Sequence, residues 1–128
     1  MKTTVAMFKG MGRGVKALQA FNPGDYIMVC ELLVLSEADT VVVNSTELQH
    51  YTFKFNETQD CLVLGDGEIF NHDGAPNVFY EIIEQSGRKM MAFLALTIIS
   101  AGEQLFIDYT ADTKVDVSSY IAAKSMVE

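Results

Sequence analysis

Turn signals cut this chain into runs too short for ordinary helices and well suited to strands. GMGRG (10–14), NPGD (22–25), QSGR (85–88) and SAGEQ (100–104) each place Gly, Pro or a short polar residue where the backbone must reverse. Strands are predicted between them at 3–9, 15–21, 26–35, 50–55, 61–64 and 105–109. Segment 26–35, YIMVCELLVL, is nearly continuous in apolar residues, the pattern of a strand buried on both faces. Segment 50–55 alternates instead, with Tyr51, Phe53 and Phe55 on one side and His50, Thr52 and Lys54 on the other. NVFYEIIE and KMMAFLALTII flank QSGR and read as a hairpin. Helix is scarce. Residues 38–49 hold a turn or two with Ser45 as N-cap, and the tail 111–128 reads as a short amphipathic helix presenting Val117, Tyr120 and Ile121.

A length of 128 residues fits one domain, and 49% hydrophobic with 20% charged residues is a globular composition. No stretch approaches the ~20 uncharged apolar residues of a membrane span. The first ten residues lack the apolar core and cleavage site of a signal peptide. Cys30 and Cys61 lie in apolar runs, as buried free thiols do, which points to a reducing, intracellular setting. With His50 and His72 they show no zinc-ligand spacing, so no metal is expected. The net charge of -8 argues against direct nucleic-acid binding and suits a Lys/Arg-rich protein partner, although acidity also serves solubility. Lys2, Lys9, Arg13 and Lys16 all precede the first acidic residue, Asp25, so that end can meet a carboxylate or phosphate.

Three segments carry chemistry. Gly12-x-Gly14-x-x-Ala17 matches a dinucleotide fingerprint, but Pro23-Gly24 leaves no room for the helix that fingerprint requires. What remains is either a plain tight turn between strands or a turn whose glycines let a ligand approach the backbone, with Arg13 or Lys16 near its negative group. The stretch GDGEIFNHDGAPN (65–77) follows the apolar run 61–64 and is dense in polar groups. Asn71 and His72 there are either loop residues satisfying buried backbone groups or part of a binding wall; Asn71 offers two donors and an acceptor in one plane. Asp108 and Tyr109 end the last apolar strand, where a tyrosine either packs or aims its hydroxyl into a site.

Taken together, these segments resemble the SET domain, the fold of most protein-lysine methyltransferases. KGMGRGVKALQAFNPGDYI (9–27) is similar to the family's first block, LGDGEIFNHDGAPNV (64–78) to its central block, and AGEQLFIDYT (101–110) to its last. The order and spacing of the central and last blocks are the specific part. The resemblance implies a mainly β fold: a β-clip of several small sheets with a C-terminal pseudoknot and few short helices. The whole chain, 1–128, would be one SET domain, with blocks over about 5–110 and the tail 111–128 closing the site. It also implies S-adenosyl-L-methionine as cofactor, held by Met11, Gly12, Arg13, Asn71, His72 and Tyr109. Tyr109 would be the catalytic tyrosine beside the transferred methyl, with Tyr51, Phe70 and Phe106 lining the lysine channel.

Methyl transfer to an amine needs no metal and no covalent intermediate. It needs a neutral amine held in line with the methyl. An apolar, aromatic channel favours that neutral form over the ammonium of a lysine with a pKa of ~10.4. No strong general base stands in the three blocks, which agrees with deprotonation through water. The chain departs from many relatives at Asp73, where Ser is common, and at Ala75, where Cys is common. It also has no Cys after Cys61, which removes a post-SET zinc site. Tyr120 is the tail residue expected over the cofactor or channel. The substrate would be a basic protein, such as a histone, and a homodimer completing the site is compatible with the small size. The alternative reading is a non-catalytic SET-like module that binds a basic peptide or partner.

Overall fold

The computed structural model describes residues 1–109. The tail from 110 onward, including Tyr120 and the amphipathic pattern around it, lies outside the described residues. Among the described residues, no helix is long and apolar enough to cross a membrane.

Two sheets make the fold. A four-stranded sheet runs in the order β1 (Thr3–Phe8), β2 (Gly12–Ala17), β9 (Gln104–Ile107), β6 (Asn71–His72). A five-stranded sheet runs β4 (Thr52–Lys54), β5 (Asp60–Val63), β3 (Tyr26–Val34), β8 (Arg88–Ala95), β7 (Val78–Gln85). The core lies between them, with Phe21, Phe70, Phe93, Ile99, Leu105 and Ile107 almost wholly removed from water. Cys30 and Cys61 are buried free thiols, as expected.

The hairpin of β7 and β8 forms where the pattern places it. Its turn residues Ser86 (φ 52°) and Gly87 (φ 77°) are both left-handed, as a type I′ turn requires, and Gln85 pairs with Arg88 across it. The N-terminal hairpin starts earlier than predicted. Its turn closes with Met11 N–H donating to Phe8 O at 3.0 Å, so Gly12 and Gly14 lie inside β2 rather than in the loop. Beyond Ala17 the expected strand shrinks to one bridge between Phe21 and Ile99.

Two expectations fail. β3 is buried on one face only: Ile27, Cys30 and Leu32 face the core, while Tyr26, Val29 and Leu33 are 37–50% exposed. Its flanking strands β5 and β8 pair with its edges, and nothing described covers the second face. A continuous apolar run reports β propensity there rather than two-sided burial. Ser45 caps no helix. The helix α1 (Glu37–Val43) lies wholly before Ser45, capped by Ser36 Oγ accepting from Asp39 N–H at 3.0 Å. The following 3₁₀ turn Glu47–His50 is capped by Thr46. Ser45 instead donates its hydroxyl back to Val42 O. The alternation predicted for 50–55 holds for Phe53 and Phe55, which pack on the core, whereas Tyr51 ends the 3₁₀ turn and stays half-exposed.

The feature that positions the site is β9. It runs antiparallel to β2, with Val15 opposite Leu105, and parallel to β6, with Asn71 opposite Phe106 and His72 opposite Ile107. Asn77 completes the arrangement. Its Oδ1 accepts from Phe106 N–H at 2.8 Å and its Nδ2 donates to Gln104 O at 3.0 Å, so one side chain serves the two backbone groups a neighbouring strand would serve.

Candidate active site

β6 is only two residues long, and its hydrogen bonds explain why. Phe70 anchors it from below, 2% exposed and stacked on Phe93 at 4.7 Å between ring centroids. Asn71 then turns its amide toward the N-terminal hairpin, donating to Arg13 O at 3.0 Å and to Gln104 Oε1 at 2.8 Å. Gly14 makes that crossing possible: a Cβ there would lie 2.6 Å from Gln104 Oε1, 2.7 Å from Asn71 Nδ2 and 2.8 Å from Phe8. The tip of the β1–β2 hairpin, with Met11 and the first β2 residues Gly12 and Arg13, is thereby fastened beside Asn71. Gly12, at φ 78°, has open space where a side chain would be.

His72 and Tyr109 form a second fastening. Tyr109 N–H donates to His72 Nδ1 at 2.9 Å, which leaves the ring proton on Nε2. The Asp108 carboxylate is 3.7 Å from the same nitrogen, beyond hydrogen-bond range. Tyr109 also donates its hydroxyl to Phe70 O at 2.5 Å. Burial, and secondarily the nearby Glu68 charge, pushes the Tyr109 phenol above its ordinary value, so it is protonated at neutral pH. Asp73, the departure noted in the sequence, closes its own turn: Oδ1 accepts from Ala75 N–H at 2.9 Å, and its backbone N–H donates to Ile107 O.

On the other side of Phe70 and Tyr109 lies a cavity of about 650 Å³. Tyr51, Phe53, Phe70, Tyr80 and Tyr109 line it, together with one carboxyl, Glu68. Phe53 meets Tyr80 edge-on at 5.2 Å. Glu68 Oε1 accepts from Val63 N–H at 2.6 Å, yet burial outweighs that bond and raises its carboxyl from 4.5 to about 7.

The expected residues therefore fall into two groups. Met11, Gly12, Arg13, Asn71 and His72 gather along the edge of the four-stranded sheet, and Tyr51, Phe70 and Tyr109 line the cavity. Phe106 sits on β9, half-buried, and is not among the residues lining that cavity. Among the described residues, no group of three His, Cys, Asp or Glu side chains is placed to hold a metal ion.

The donor set along the sheet edge fits the amino-acid end of a sulfonium nucleoside. It offers glycine-exposed backbone and the Asn71 Oδ1, the Asn71 amide hydrogens being already committed within the chain. Glu68, Gln104, Asn77 and Tyr80 were not among the residues singled out from the sequence. Asn77 carried a signal, since it follows Pro76 in the central block, whereas Glu68 reads in sequence as one more solvated acid between two others.

Comparison with known proteins bears on this geometry. A profile of the SET domain matches residues 12–110. A histone-lysine N-methyltransferase of Schizosaccharomyces pombe, named as specific for H3 lysine-37, is 31% identical over 99 residues, covering 77% of this chain and 66% of the relative. Histone-lysine N-methyltransferase Set8 of Drosophila pseudoobscura pseudoobscura is 28% identical over 117 residues, covering 82% of this chain. The chain thus spans 66% of the length of the first relative and 17% of the second. A Plasmodium falciparum crystal structure, described as a candidate histone methyltransferase, superposes with a TM-score of 0.70 at 22% identity, covering 87% of this chain and 95% of that one. Its likeness is one of fold. The two-sheet β fold, the parallel pairing of β6 with β9 and the matched span together identify the chain as a member of the SET-domain family.

Proposed function

We propose that this chain is an S-adenosylmethionine-dependent protein-lysine N-methyltransferase acting on a basic protein of the histone type. One observation carries the reading: Phe70 and Tyr109, joined by a hydrogen bond, stand between a glycine-and-asparagine edge and an aromatic cavity. A methyl donor and a methyl acceptor need such a partition, because the two must meet end-on through a narrow opening and nowhere else. S-adenosylmethionine would supply an electrophilic methyl on a sulfonium. Met11, Gly12 and Arg13 would hold its amino-acid end through backbone, with Asn71 and His72 beside them.

The acceptor lysine would enter between Tyr51, Phe53 and Tyr80. An aromatic wall disfavours its ammonium and leaves the neutral amine as the form that reacts. Tyr109 spends its hydrogen on Phe70 O, so its oxygen is held still at the partition with lone pairs to orient the amine. The histone-directed relatives and the net charge of -8 support a Lys/Arg-rich substrate.

The test is incubation with labelled S-adenosylmethionine and core histones, wild type beside Tyr109→Phe. Label on lysine, lost in the variant, is the expected result. Saturable histone binding without transfer, unaffected by the variant, would instead mark a peptide-binding module.

A further inference from the structure

Glu68 is a half-buried acid in a cavity walled by aromatic rings together with the polar groups of Gln49, His50, Thr52 and Lys54, and the fold holds it there. It ends the 3₁₀ turn Asp66–Glu68. The preceding Gly67 is wedged so tightly that an added Cβ would lie 2.6 Å from Val63, 2.7 Å from Phe93 and 3.1 Å from Cys30. The turn has no room to swing. Glu68 Oε1 is fixed on Val63 N–H, and the side chain shares the cavity wall with Phe70 and Tyr109.

Ionisable groups face it from every neighbouring element: Cys30 from β3, Cys61 from β5, Tyr80 from β7 and Tyr109 beyond β9. Asp66 lies on its own turn, and His50, Tyr51 and Lys54 stand along the cavity. Burial, the leading cause in each case, pushes both thiols and the Tyr109 phenol up, Cys61 to about 12, so these three carry no charge at pH 7.

We propose that Glu68 is the group that takes the proton from the substrate ammonium. One N–H bond of the ammonium breaks and its electron pair stays on nitrogen. An O–H bond forms on the carboxylate, so an ion pair becomes a neutral amine and a neutral acid. The proton then leaves through the open cavity to water, one for each methyl gained. This rests on the methyltransferase reading. Burial to about 7 suits the task, since the carboxyl is ionised in a useful fraction of molecules at neutral pH yet is a stronger base than an exposed glutamate. An acceptor needed only for Val63 N–H would require no charge.

Glu68→Gln separates these roles, because the amide oxygen still accepts from Val63 N–H. Profiles of kcat/KM against pH on core histones are expected to show two ionisations in wild type, one near 7, and to lose that one in the variant with a rate loss of roughly 10²-fold or more at pH 8. A second readout needs no turnover: the carboxyl carbon-13 resonance of Glu68 in wild type, titrated alone, with a peptide carrying the lysine modified in histones, and with its norleucine counterpart. Its midpoint is expected to fall with the lysine peptide alone. Wild-type turnover with an unchanged Glu68→Gln profile, or with an unmoved resonance, overturns the role of Glu68 and leaves the methyltransferase reading standing. No turnover on core histones overturns both.

Discussion

The two sides of the Phe70–Tyr109 partition are built from different materials. On one side, Gly12, Arg13 and Asn71 make a surface largely out of backbone, seated on the buried Gly14 and fixed by hydrogen bonds between distant segments. On the other, Tyr51, Phe53 and Tyr80 make a surface out of side chains, fixed by packing. A backbone surface recognises a ligand that is always the same; a side-chain surface can be altered residue by residue without disturbing its neighbour. Under the proposed function, the constant methyl donor would lie on the first face and the variable protein substrate on the second.

Substitutions can break that contrast. Gly14→Ala strikes the backbone side hardest, because its Cβ would collide with Asn71 and Gln104 together at 2.6–2.7 Å. Cofactor affinity and activity should fall by about two orders of magnitude or more in calorimetry and label transfer, with a loss of about 2–3 kcal/mol in urea unfolding. Tyr109→Phe should reduce label transfer by roughly 10²-fold while costing only about 1 kcal/mol of stability, the value of one hydrogen bond. Asn77→Ala touches neither surface but strips Gln104 O and Phe106 N–H of their side-chain partner; a loss of about 2 kcal/mol is expected in the same unfolding experiment.

Glu68→Gln sharpens the contrast through pH. Folding raises this carboxyl from 4.5 to about 7, so between those values the folded chain binds more protons than the unfolded one. Wild-type stability should fall as pH rises through that window and flatten above it. The variant should lack this component and gain on wild type between pH 4 and pH 8, by about 1–2 kcal/mol after allowing for partial solvent screening. Smallest is Asp73→Ser, which can keep the turn to Ala75 N–H and should change the thermal midpoint by less than about 0.5 kcal/mol equivalent.

What could be read from sequence was local or ordered. Ser86-Gly87 forces its hairpin, and three blocks in a fixed order suffice to indicate the family. What could not be read depended on partners far along the chain. Whether the second face of 26–35 is covered is a property of the other strands, not of its own apolar residues. Ser36, Ser45 and Thr46 are equally good caps in isolation, and the choice among them follows from where the chain leaves β3. Glu68 is invisible for the same reason: its solvation is decided by Gly67 seated against Phe93 and Cys30.

The parallel pairing of β6 with β9 has a consequence for the order of assembly. Both sides draw mainly on segments that lie before residue 95 and meet at the Phe70–Asn71 peptide, yet the partition is not closed until Gln104–Ile107 lies between β2 and β6 and Tyr109 reaches His72 and Phe70. Such contacts between distant parts of a chain carry the largest closure entropy and form late. A nascent polypeptide held on a ribosome with residue 109 still in the exit tunnel would own both surfaces without the Tyr109 half of the partition, so the site would be completed as a single late event in synthesis.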